Sequence, residues 1–425
     1  METGTPSKIL MPAAEPQSFG AAATPSATWV EPGSRTYWRI SLALFVAGFA
    51  TFSLLYCVQP LLPMFAVDFH IGATQSSLSL SVTTGCLAVS ILCAGVWSEG
   101  LGRRRLMFAS MILAAVLNLI AAFAPDWRAL LLARALEGLA LGGVPAIAMA
   151  YLAEEIHPLG LGLSMGLYVG GTAFGGMLGR VGMGVLTDFY SWRTAIATIS
   201  VIDLLSAVGF LALLPASRNF VRRQGLGAAF HLRAWQTHLS HHGLPYLFVT
   251  GFLAMGVFVT LYNYVGFRLM APRYGLSQSQ IALIFSAYLF GIASSPIAGA
   301  LADRFGRAPV LIGGVLTMSL GEVLTLQESL PGIFCGISIL TIGFFSAHTV
   351  ASGWVGLWAG SNKGHAAAMY LLAYYFGSSA LGTCGGWFWE VGGWSMVVEF
   401  ALTLLVIALF VAMRLAQLAA RGTPA

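Results

Sequence analysis

Several charged residues lie inside long apolar runs of the sequence, where a charge is costly. Arg134 and Glu137 stand three positions apart, Arg180 lies in the next such run, and Asp203 lies in the run after it. On membrane-insertion scales a charge at the centre of an apolar helix costs about 3 kcal/mol, so these residues are functional candidates by default. An acid close to an arginine can pair with it and titrate, and a guanidinium can bind an anion. Proton transfer and anion binding are the chemistries that these residues indicate.

Each assignment has a structural alternative. Arg134, Glu137 and Asp203 are candidates for proton coupling, but Arg134 and Glu137 also fit a static ion pair. Arg180 fits the binding of an anionic substrate, a gate, or a buried pair with an acid on a neighbouring helix. The sequence alone leaves these alternatives open.

A short polar pattern occurs twice between apolar runs. Residues 95–105 read GVWSEGLGRRR, and 204 positions later residues 299–309 read GALADRFGRAP. Glycine permits a tight turn, and an acid at such a turn can face the positive N-terminus of a neighbouring helix while the arginines pair with it and with lipid headgroups. We predict a gating cluster that holds the two halves together in one state, rather than a simple basic anchor. Its residues are Gly95, Glu99, Gly102, Arg103, Arg104, Gly299, Asp303, Arg304, Gly306 and Arg307.

The composition indicates a chain embedded in lipid. Of the 425 residues, 57% are hydrophobic and only 9% are charged, whereas soluble proteins carry about 25% charged residues. The net charge is +5. Most of the basic residues lie in the loops and tails beside the apolar runs, so we predict no nucleic-acid partner. Runs long enough to cross a bilayer, about 20 residues each, number twelve. They are residues 39–62, 77–97, 106–124, 129–151, 163–186, 194–214, 245–267, 280–301, 309–327, 331–358, 366–389 and 393–414.

The distribution of basic residues predicts the orientation. If both ends of the chain face the cytoplasm, the inward segments hold 15 of the 21 Lys and Arg residues and the outward loops hold four, as the positive-inside rule requires. Residues 1–37 are rich in Pro, Ala, Ser and Thr, and we expect a disordered cytoplasmic tail there. A second, short cytoplasmic tail is expected at residues 416–425.

The sequence divides into two related halves. The longest polar gap, residues 215–243, predicts a cytoplasmic linker between six-helix bundles at residues 38–214 and 244–415. Tyr168 and Tyr370 are 202 positions apart, and the pattern Asp188-x-x-x-Trp192 recurs at the same offset as Glu390-x-x-x-Trp394. Duplicated halves are typical of transporters that bind substrate between the repeats.

The spans, the linker and the loop pattern together resemble the major facilitator superfamily over about residues 38–415. The family's loop motif runs Gly-x-x-x-Asp-Arg-x-Gly-Arg-Arg, and the second copy follows it. In the first copy Glu99 replaces the Asp and Gly100 replaces the first Arg. The phrases FATFSLLYCVQPLLP, YLAEEIHP and FFSAHTVASGW are similar to the YnfM-type inner-membrane transport proteins, a branch associated with acriflavine sensitivity.

This resemblance implies an all-α membrane protein of twelve transmembrane helices in two pseudo-symmetric bundles, with spans one, four, seven and ten around a cavity. Arg134 matches the arginine of the fourth-span motif that is linked to proton movement in antiporters. Gly166, Gly175 and Gly179 follow the antiporter spacing in span five, but Arg180 stands where that motif has Pro. The residues expected at or beside the cavity are Tyr56, Gln59, Tyr168, Arg180, Tyr262, Asn263, Tyr264, His348 and Tyr370.

The predicted function is transport in the bacterial inner membrane. We expect proton-coupled efflux, by antiport, of small amphipathic organic molecules through alternating access. The alternative is import or facilitated diffusion of a small organic anion that binds Arg180. The predicted partners are the substrate, protons and membrane lipid, with no cofactor, and the resemblance implies a monomer.

Other chemistries have weaker signals. Residues 162–166 spell the G-x-S-x-G pattern of hydrolases around Ser164, but a loop and a helix surround it instead of a strand. An intramembrane hydrolase is therefore a remote alternative, and we predict no enzyme activity. His238, His241 and His242 lie in the polar linker, where we expect no metal. No phosphate-binding G-x-x-x-x-G-K-[ST] pattern is present.

Overall fold

The computed structural model describes residues 29–220, 228–360 and 363–421, and for residues 95–101 and 228 it describes the backbone alone. Within these ranges the protein is helical, without strands and with one isolated bridge between Val30 and Ile156. The helices are α1 (Arg35–Tyr56), α2 (Leu62–Asp68), α3 (Ala73–Leu101), α4 (Arg103–Ala122), α5 (Trp127–Leu141), α6 (Ala148–Glu155), α7 (Pro158–Phe189), α8 (Trp192–Leu213), α9 (Ala228–Leu239), α10 (Leu244–Met270), α11 (Gln278–Ala282), α12 (Tyr288–Phe305), α13 (Arg307–Leu324), α14 (Leu330–Trp358) and α15 (Lys363–Ala420).

Ten helical stretches of the described chain are long and apolar enough to cross a bilayer. The predicted fourth span, residues 129–151, is divided between α5 and α6. The last two predicted spans run together in α15, which bends where Gly392 and Gly393 leave the helical conformation. The all-α membrane fold is confirmed, and the number of twelve spans stays a prediction.

Local side chains fix where several helices begin. Ser34, Asp126, Ser191 and Ser329 each accept a hydrogen bond from a backbone N–H in the first turn of α1, α5, α8 and α14. The first N–H groups of a helix have no partner within the helix, so a side-chain acceptor there stabilises the start. Single capping residues of the sequence therefore determine where these four helices begin.

The two halves pack by the same scheme. In the first bundle, α1 packs on α7, and α4 packs on α5; in the second bundle, α10 packs on α15, and α13 packs on α14. The bundles meet along two seams, where α3 packs on α15 and α7 packs on α11. The sites described below lie inside the first bundle, at the boundary between the bundles and inside the second bundle.

Both copies of the loop pattern turn at a glycine. Gly102, between α3 and α4, has a φ of 87°, and Gly306, between α12 and α13, has a φ of 88°. These are conformations that a residue with a Cβ rarely adopts. Arg104, next to the first turn, donates to the Leu211 carbonyl near the start of the linker. Gly306 lines a cavity with Ala419, near the end of α15. We call this end of the molecule the linker end, and the opposite end the far end.

The bundles are joined near the far end. Hydrogen bonds between the two bundles, as far as the described residues show them, all lie in the half of the helices nearer to that end. The Ser379 hydroxyl, for example, donates to the Ser81 carbonyl at 2.7 Å and joins α15 to α3. The structure is therefore closed at the far end.

Parts of the predicted tails and linker lie outside the described residues, namely 1–28, 221–227 and 422–425. Of the first tail, Val30 donates its N–H to the Glu155 carbonyl at 2.8 Å, and its carbonyl accepts from His157 at 3.1 Å. The linker contains α9, which packs on α15 and α10.

Candidate functional site

A buried arginine lies at the centre of the first bundle. Arg134, on α5, donates to the Ser79 carbonyl on α3 at 3.1 Å and to Asn118 Oδ1 on α4 at 3.1 Å. Its Nη1 also lies 2.6 Å from Glu137 Oε2, one turn further along α5, and neither side chain is exposed. The guanidinium therefore joins three helices, and the pair expected from the sequence spacing is present.

Arg134 also holds the end of α1. It donates to the carbonyls of Leu54 at 3.3 Å and Leu55 at 3.0 Å, in the last turn of that helix. The last carbonyls of a helix lack partners and carry a partial negative charge, so a cation there is stabilising. The chain leaves the α-helix directly after this point and forms a 3-10 turn at Gln59–Leu61. Arg134 thus positions the segment that carries Gln59.

Two buried carboxyl groups of the first bundle have oxygen atoms without a hydrogen bond of normal geometry. In the described chain these are Oε1 of Glu137 and both oxygens of Asp203 on α8, although the Ser53 hydroxyl lies near the Asp203 carboxyl. Asp203 is 1% exposed and close enough to Glu137 for their charges to interact. A buried carboxylate without hydrogen bonds is costly while it is ionised. Protonation would remove this cost, so Glu137 and Asp203 stay the candidates for proton binding that the sequence indicates.

Arg180 lies between the bundles and is 1% exposed. Its Nε donates to Gln59 Oε1 at 2.6 Å, and its Nη1 donates to the Gly176 carbonyl, one turn earlier on α7, at 2.6 Å. Its guanidinium carbon lies 4.0 Å from the ring centre of Tyr56 in its own bundle and 4.9 Å from that of Tyr288 in the second bundle. Neutral groups from both bundles therefore surround this cation.

Arg180 and Arg134 differ in their charge balance. Glu137 neutralises Arg134, whereas no carboxylate of the described residues lies within 4.0 Å of the Arg180 nitrogens. Cation–π contacts contribute about 0.5–2 kcal/mol, and a ring carries no opposite charge. A buried pair between Arg180 and an acid on a neighbouring helix, one of the alternatives open from the sequence, is absent from this part of the molecule.

Gln59 connects Arg180 to the second bundle. Its Oε1 accepts from Arg180, and its Nε2 donates to Asn263 Oδ1 on α10 at 2.7 Å. The next residue back, Tyr262, stacks on Phe285 with the ring centres 5.2 Å apart, and the Phe285 ring lies 5.1 Å from the Arg180 guanidinium. The boundary between the bundles is thus crossed by a short chain of polar contacts bordered by aromatic rings.

A second group of rings lies between α14 and α15. His348 Nδ1 lies 2.9 Å from the Tyr370 hydroxyl, and the ring centres of Phe344 and Tyr374 lie 5.9 Å and 4.7 Å from that of His348. We call these four residues the aromatic cluster. Ring faces with one polar pair suit flat, amphipathic ligands.

Two residues expected at the cavity pack elsewhere. Tyr264, on α10, donates to the Gly382 carbonyl on α15 at 2.8 Å. Tyr168 is buried in the apolar core of the first bundle around α1. The other expected residues form two groups, which are Tyr56, Gln59, Arg180, Tyr262 and Asn263, and His348 with Tyr370.

The loop pattern forms ion pairs within each bundle at the linker end. Arg103 Nη2 lies 2.5 Å from Glu154 Oε1 on α6, and Arg307 lies 3.9 Å from Asp303, one turn before it. For residues 95–101, which include Gly95 and Glu99 of the predicted gating cluster, the structure describes the backbone alone.

Several contact residues were missed by sequence reasoning, Phe344 and Tyr374 of the aromatic cluster among them. Asn118 binds Arg134, Tyr288 covers Arg180, and Glu154 pairs with Arg103. Asn118 and Tyr288 are isolated polar residues in apolar runs and give no local signal. Glu154 has one, because it lies in the acidic phrase YLAEEIHP just after an apolar run.

Ser164 and His241 make other contacts in the structure. Ser164 lies inside α7, with its hydroxyl 2.7 Å from that of Ser41. In the linker, His241 Nδ1 accepts from the backbone N–H groups of Gly243 and Leu244 at 3.0 and 3.1 Å. No group of three His, Cys, Asp or Glu residues within the described ranges is placed to hold a metal ion.

Comparison with known proteins agrees with the fold. The family model described as Major Facilitator Superfamily matches residues 42–269 and 264–424. The chain is 45% identical over 387 residues to the inner membrane transport protein YnfM of Escherichia coli strain K12, covering 91% of this chain and 93% of that protein. It is 42% identical over 396 residues to the MFS-type transporter YybF of Bacillus subtilis strain 168, covering 92% and 96%.

A solved structure shares the architecture. The bacterial homologue of the human lysosomal transporter Spinster, in an inward-facing and occupied conformation, superposes with a TM-score of 0.74 at 13% identity, covering 91% of this chain and 98% of that one. The family match extends over both bundles, and the helices are apolar enough to cross a membrane several times. The chain therefore belongs to the major facilitator superfamily and is a multi-pass membrane transporter rather than an enzyme.

Proposed function

We propose that the protein carries a small organic anion across the bacterial inner membrane by alternating access, coupled to the movement of protons. The observation that carries this proposal is Arg180, a buried guanidinium between the bundles with no carboxylate partner in the described chain. The anionic group of a substrate would supply the missing opposite charge. An amphipathic cation, in contrast, would meet an uncompensated positive charge at the same place.

Gln59 marks where the substrate would bind. Its Oε1 accepts a hydrogen bond from Arg180 Nε, and a carboxylate oxygen could accept the same bond. A charge-assisted hydrogen bond is about twice as strong as one to a neutral acceptor. A bound carboxylate would displace the amide and alter the bond between Gln59 and Asn263 that joins the bundles. The rings of Tyr56 and Tyr288 would pack on the apolar part of the substrate.

Asp203 and Glu137 are the residues to which we assign proton binding. A change of charge on Glu137 acts on Arg134, and Arg134 holds the end of α1 from which Gln59 follows. The proton site and the substrate site are thus connected through one buried guanidinium. One proton crossing 100 mV supplies about 2.3 kcal/mol, which sustains a gradient of about fifty-fold.

In the proposed orientation the linker end and both chain termini face the cytoplasm, as the distribution of Lys and Arg favours. The structure, closed at the far end, then corresponds to an inward-facing state. The loop pattern, with Glu99, Arg103, Asp303 and Arg307, would close the linker end in the opposite state. We propose that one chain, in contact with membrane lipid, is the transporting unit.

Transport by the purified protein in proteoliposomes tests the anion site. The probes are labelled benzoate and succinate, measured by counterflow without an imposed gradient. We expect Arg180→Gln to lower counterflow at least about tenfold, the effect of losing about 1.4 kcal/mol of binding. Arg180→Lys should lower counterflow by less, because an ammonium keeps the charge but lacks the planar arrangement of donors of a guanidinium. The control is Arg273→Gln, which removes an exposed arginine paired with Glu328 at the far end.

A different result would reject this assignment. Carboxylate counterflow that is unchanged in Arg180→Gln, or a protein that carries only cationic probes, would exclude Arg180 as the binding cation.

The proton assignment is tested by separating driven transport from exchange. Asp203→Asn and Glu137→Gln should abolish uptake driven by a pH gradient while counterflow continues. The matched control is Glu322→Gln, because Glu322 is also a fully buried carboxyl whose oxygens have no hydrogen-bond partner in the described chain, but it lies in the second bundle. If only Glu322→Gln abolished uptake driven by a pH gradient, the proton would have to be assigned to the second bundle.

The aromatic cluster supports a second candidate, proton-coupled efflux of amphipathic molecules. Its rings could take a flat ligand without Arg180. Ethidium efflux from the same proteoliposomes, lost in His348→Leu and kept in Arg180→Gln, would favour this function over anion transport.

A further inference from the structure

A repeated pattern at the far end has no part in the sites described so far. Asp188-x-x-x-Trp192 and Glu390-x-x-x-Trp394 are separated by 202 positions, and each acid is preceded at four residues by a glycine, Gly184 or Gly386. The full pattern is Gly-x-x-x-acid-x-x-x-Trp, once where α7 meets α8 and once at the bend of α15.

Asp188 reaches from the first bundle to the second. Its Oδ1 accepts from the backbone N–H of Gln278 at 3.0 Å, and its Oδ2 accepts from the N–H of Ser279 at 3.2 Å and from the Ser277 hydroxyl at 3.1 Å. These residues begin the helical stretch that continues through α11 into α12. A carboxylate at a helix start binds free N–H groups and faces the positive end of the helix dipole.

Glu390 makes the corresponding contact in the opposite direction. Its Oε1, in the second bundle, accepts from the backbone N–H of Thr74 in the first turn of α3 at 2.9 Å. A methyl group added at Gly72, just before that helix, would collide with the same carboxylate. Each bundle therefore supplies an acid that binds the start of a helix in the other bundle.

The glycines of the pattern allow this approach. A Cβ added at Gly184 would lie 2.8 Å from the Gln278 carbonyl oxygen, and one added at Gly386 would lie 2.6 Å from Thr74 Cα. Both distances are shorter than real Cβ contacts. Glycine at these positions lets the helix of one bundle lie directly against the other.

The tryptophans hold their own bundles instead. Trp192 Nε1 donates to Asp68 Oδ2 at 2.5 Å at the end of α2, and Trp394 Nε1 donates to the Thr325 carbonyl at 3.2 Å after α13. In each copy the glycine and the acid contact the opposite bundle. The indole instead makes its hydrogen bond within its own bundle, four residues after the acid.

We propose that the two copies form a far-end latch, defined as Gly184, Asp188, Gly386 and Glu390, which holds the far end closed and must open in each transport cycle. The inference rests on alternating access, which is part of the proposed function, but it requires neither the anion substrate nor the proton site. Because both acids act on helix starts through charge and hydrogen bonds, neutral isosteres should weaken the latch without changing its shape.

Accessibility of a buried cysteine tests the latch without any substrate. Ala282, on α11, is fully buried and faces Gly184, so Ala282→Cys is the reporter, in a chain whose five native cysteines are replaced by serine. The measurement is the rate of reaction with a membrane-impermeant maleimide applied at the far end of the reconstituted protein. We expect Asp188→Asn and Glu390→Gln each to raise this rate about fivefold, and the double variant to raise it further.

Asp126→Asn is the matched control. Asp126 is also an acid at a helix start, bound to the Ala129 N–H at 2.8 Å, but within a single bundle. It should leave the labelling rate unchanged. Asp188→Glu combined with Glu390→Asp keeps both charges and should restore slow labelling, which separates a weakened latch from a poorly folded protein.

A covalent latch gives the opposite result. Asp188→Cys with Gln278→Cys, oxidised to a disulfide, should suppress labelling at position 282 until a reductant is added. A double variant of the acids that labels no faster than the parent would overturn the inference. The labelling measurement needs no substrate, so it is independent of the test for anion transport. Faster labelling in the acid variants would support the latch even if the protein carried no carboxylate, and unchanged labelling would reject the latch even if it did.

Discussion

The Nε atom of Arg180 lies 2.6 Å from Oε1 of Gln59, so a neutral amide occupies the place where a counter-ion would bind. The amide satisfies the direction of the hydrogen bond but not the charge. A carboxylate in the same place would supply both the acceptor and the opposite charge, in a stronger, charge-assisted hydrogen bond.

Gln59→Glu should block the proposed anion site at Arg180. The new carboxylate would pair with Arg180 and compete with an anionic substrate, so we expect the concentration of carboxylate needed for half-maximal counterflow to rise at least about tenfold. Gln59→Leu is the control, because it removes the amide without adding a charge. Unchanged affinity in Gln59→Glu would show that the substrate does not bind at Arg180.

Arg134→Met should destabilise the first bundle. The change leaves Glu137 buried without its partner and removes the donors to the carbonyls of Leu54 and Leu55. Breaking a buried ion pair by removing one partner costs about 3–5 kcal/mol, and the thermal unfolding temperature in detergent should fall accordingly. The double change Arg134→Met and Glu137→Leu should recover part of the loss. If Arg134→Met unfolds at the temperature of the parent, the arginine does not support the end of α1.

Glu155→Gln should release the start of the linker. Glu155 Oε1 accepts from the Ser217 hydroxyl and from the backbone N–H groups of Arg218 at 2.8 Å and Asn219 at 2.9 Å. Charge-assisted bonds weaken when the acceptor becomes neutral, so trypsin should cut after Arg218 several times faster. Mass spectrometry of the fragments identifies the site, and Glu328→Gln, at the far end, is the control. Equal cleavage rates in the Glu155 and Glu328 variants would contradict this role.

The junction of α9 and α10 should be sensitive to pH through His241. Burial and the neighbouring His242 and His238 lower the pKa of His241 below its ordinary value of 6.5, and the neutral ring accepts from the N–H groups of Gly243 and Leu244. A histidine whose pKa is lowered by folding contributes stability that is present above its unfolded pKa and is lost as the pH falls through the folded value.

The measurement is the unfolding temperature of His241→Ala and the parent as a function of pH. The difference between them should be largest above pH 7, roughly, and should shrink as the pH falls below the ordinary histidine pKa. His242→Ala should leave the two bonds to His241 in place and reduce the loss on acidification, because His242 is one cause of the lowered pKa of His241. A difference that grows on acidification would mean that the charged ring is the stabilising form.

The sequence predicted the class of fold because the apolar runs and their caps are local signals. The start of α8 after Ser191 and the turns at Gly102 and Gly306 follow from single residues and their neighbours. The division of the predicted fourth span into α5 and α6 has no such signal, because the residues between them are as apolar as the helices.

The candidate sites were predictable only in part, for the same reason. Arg134 and Glu137 are three positions apart in one helix, so their pairing follows from helical geometry. The contact of Arg180 with Tyr288 joins residues 108 positions apart in different bundles, and that of Asp188 with Gln278 joins residues 90 apart. Contacts of this kind depend on how the bundles dock, which periodicity along one helix does not specify.

The hydrogen bonds that join the bundles, in the part of the chain that the structure describes, all lie toward one end, and this has a pharmacological consequence. A molecule that enters from the linker side and is too bulky to be enclosed would act as a wedge. It would hold that side apart, stabilise the far-end contacts, and block turnover without itself being moved. Such a compound would raise the unfolding temperature of the purified protein yet never appear on the other side of a vesicle.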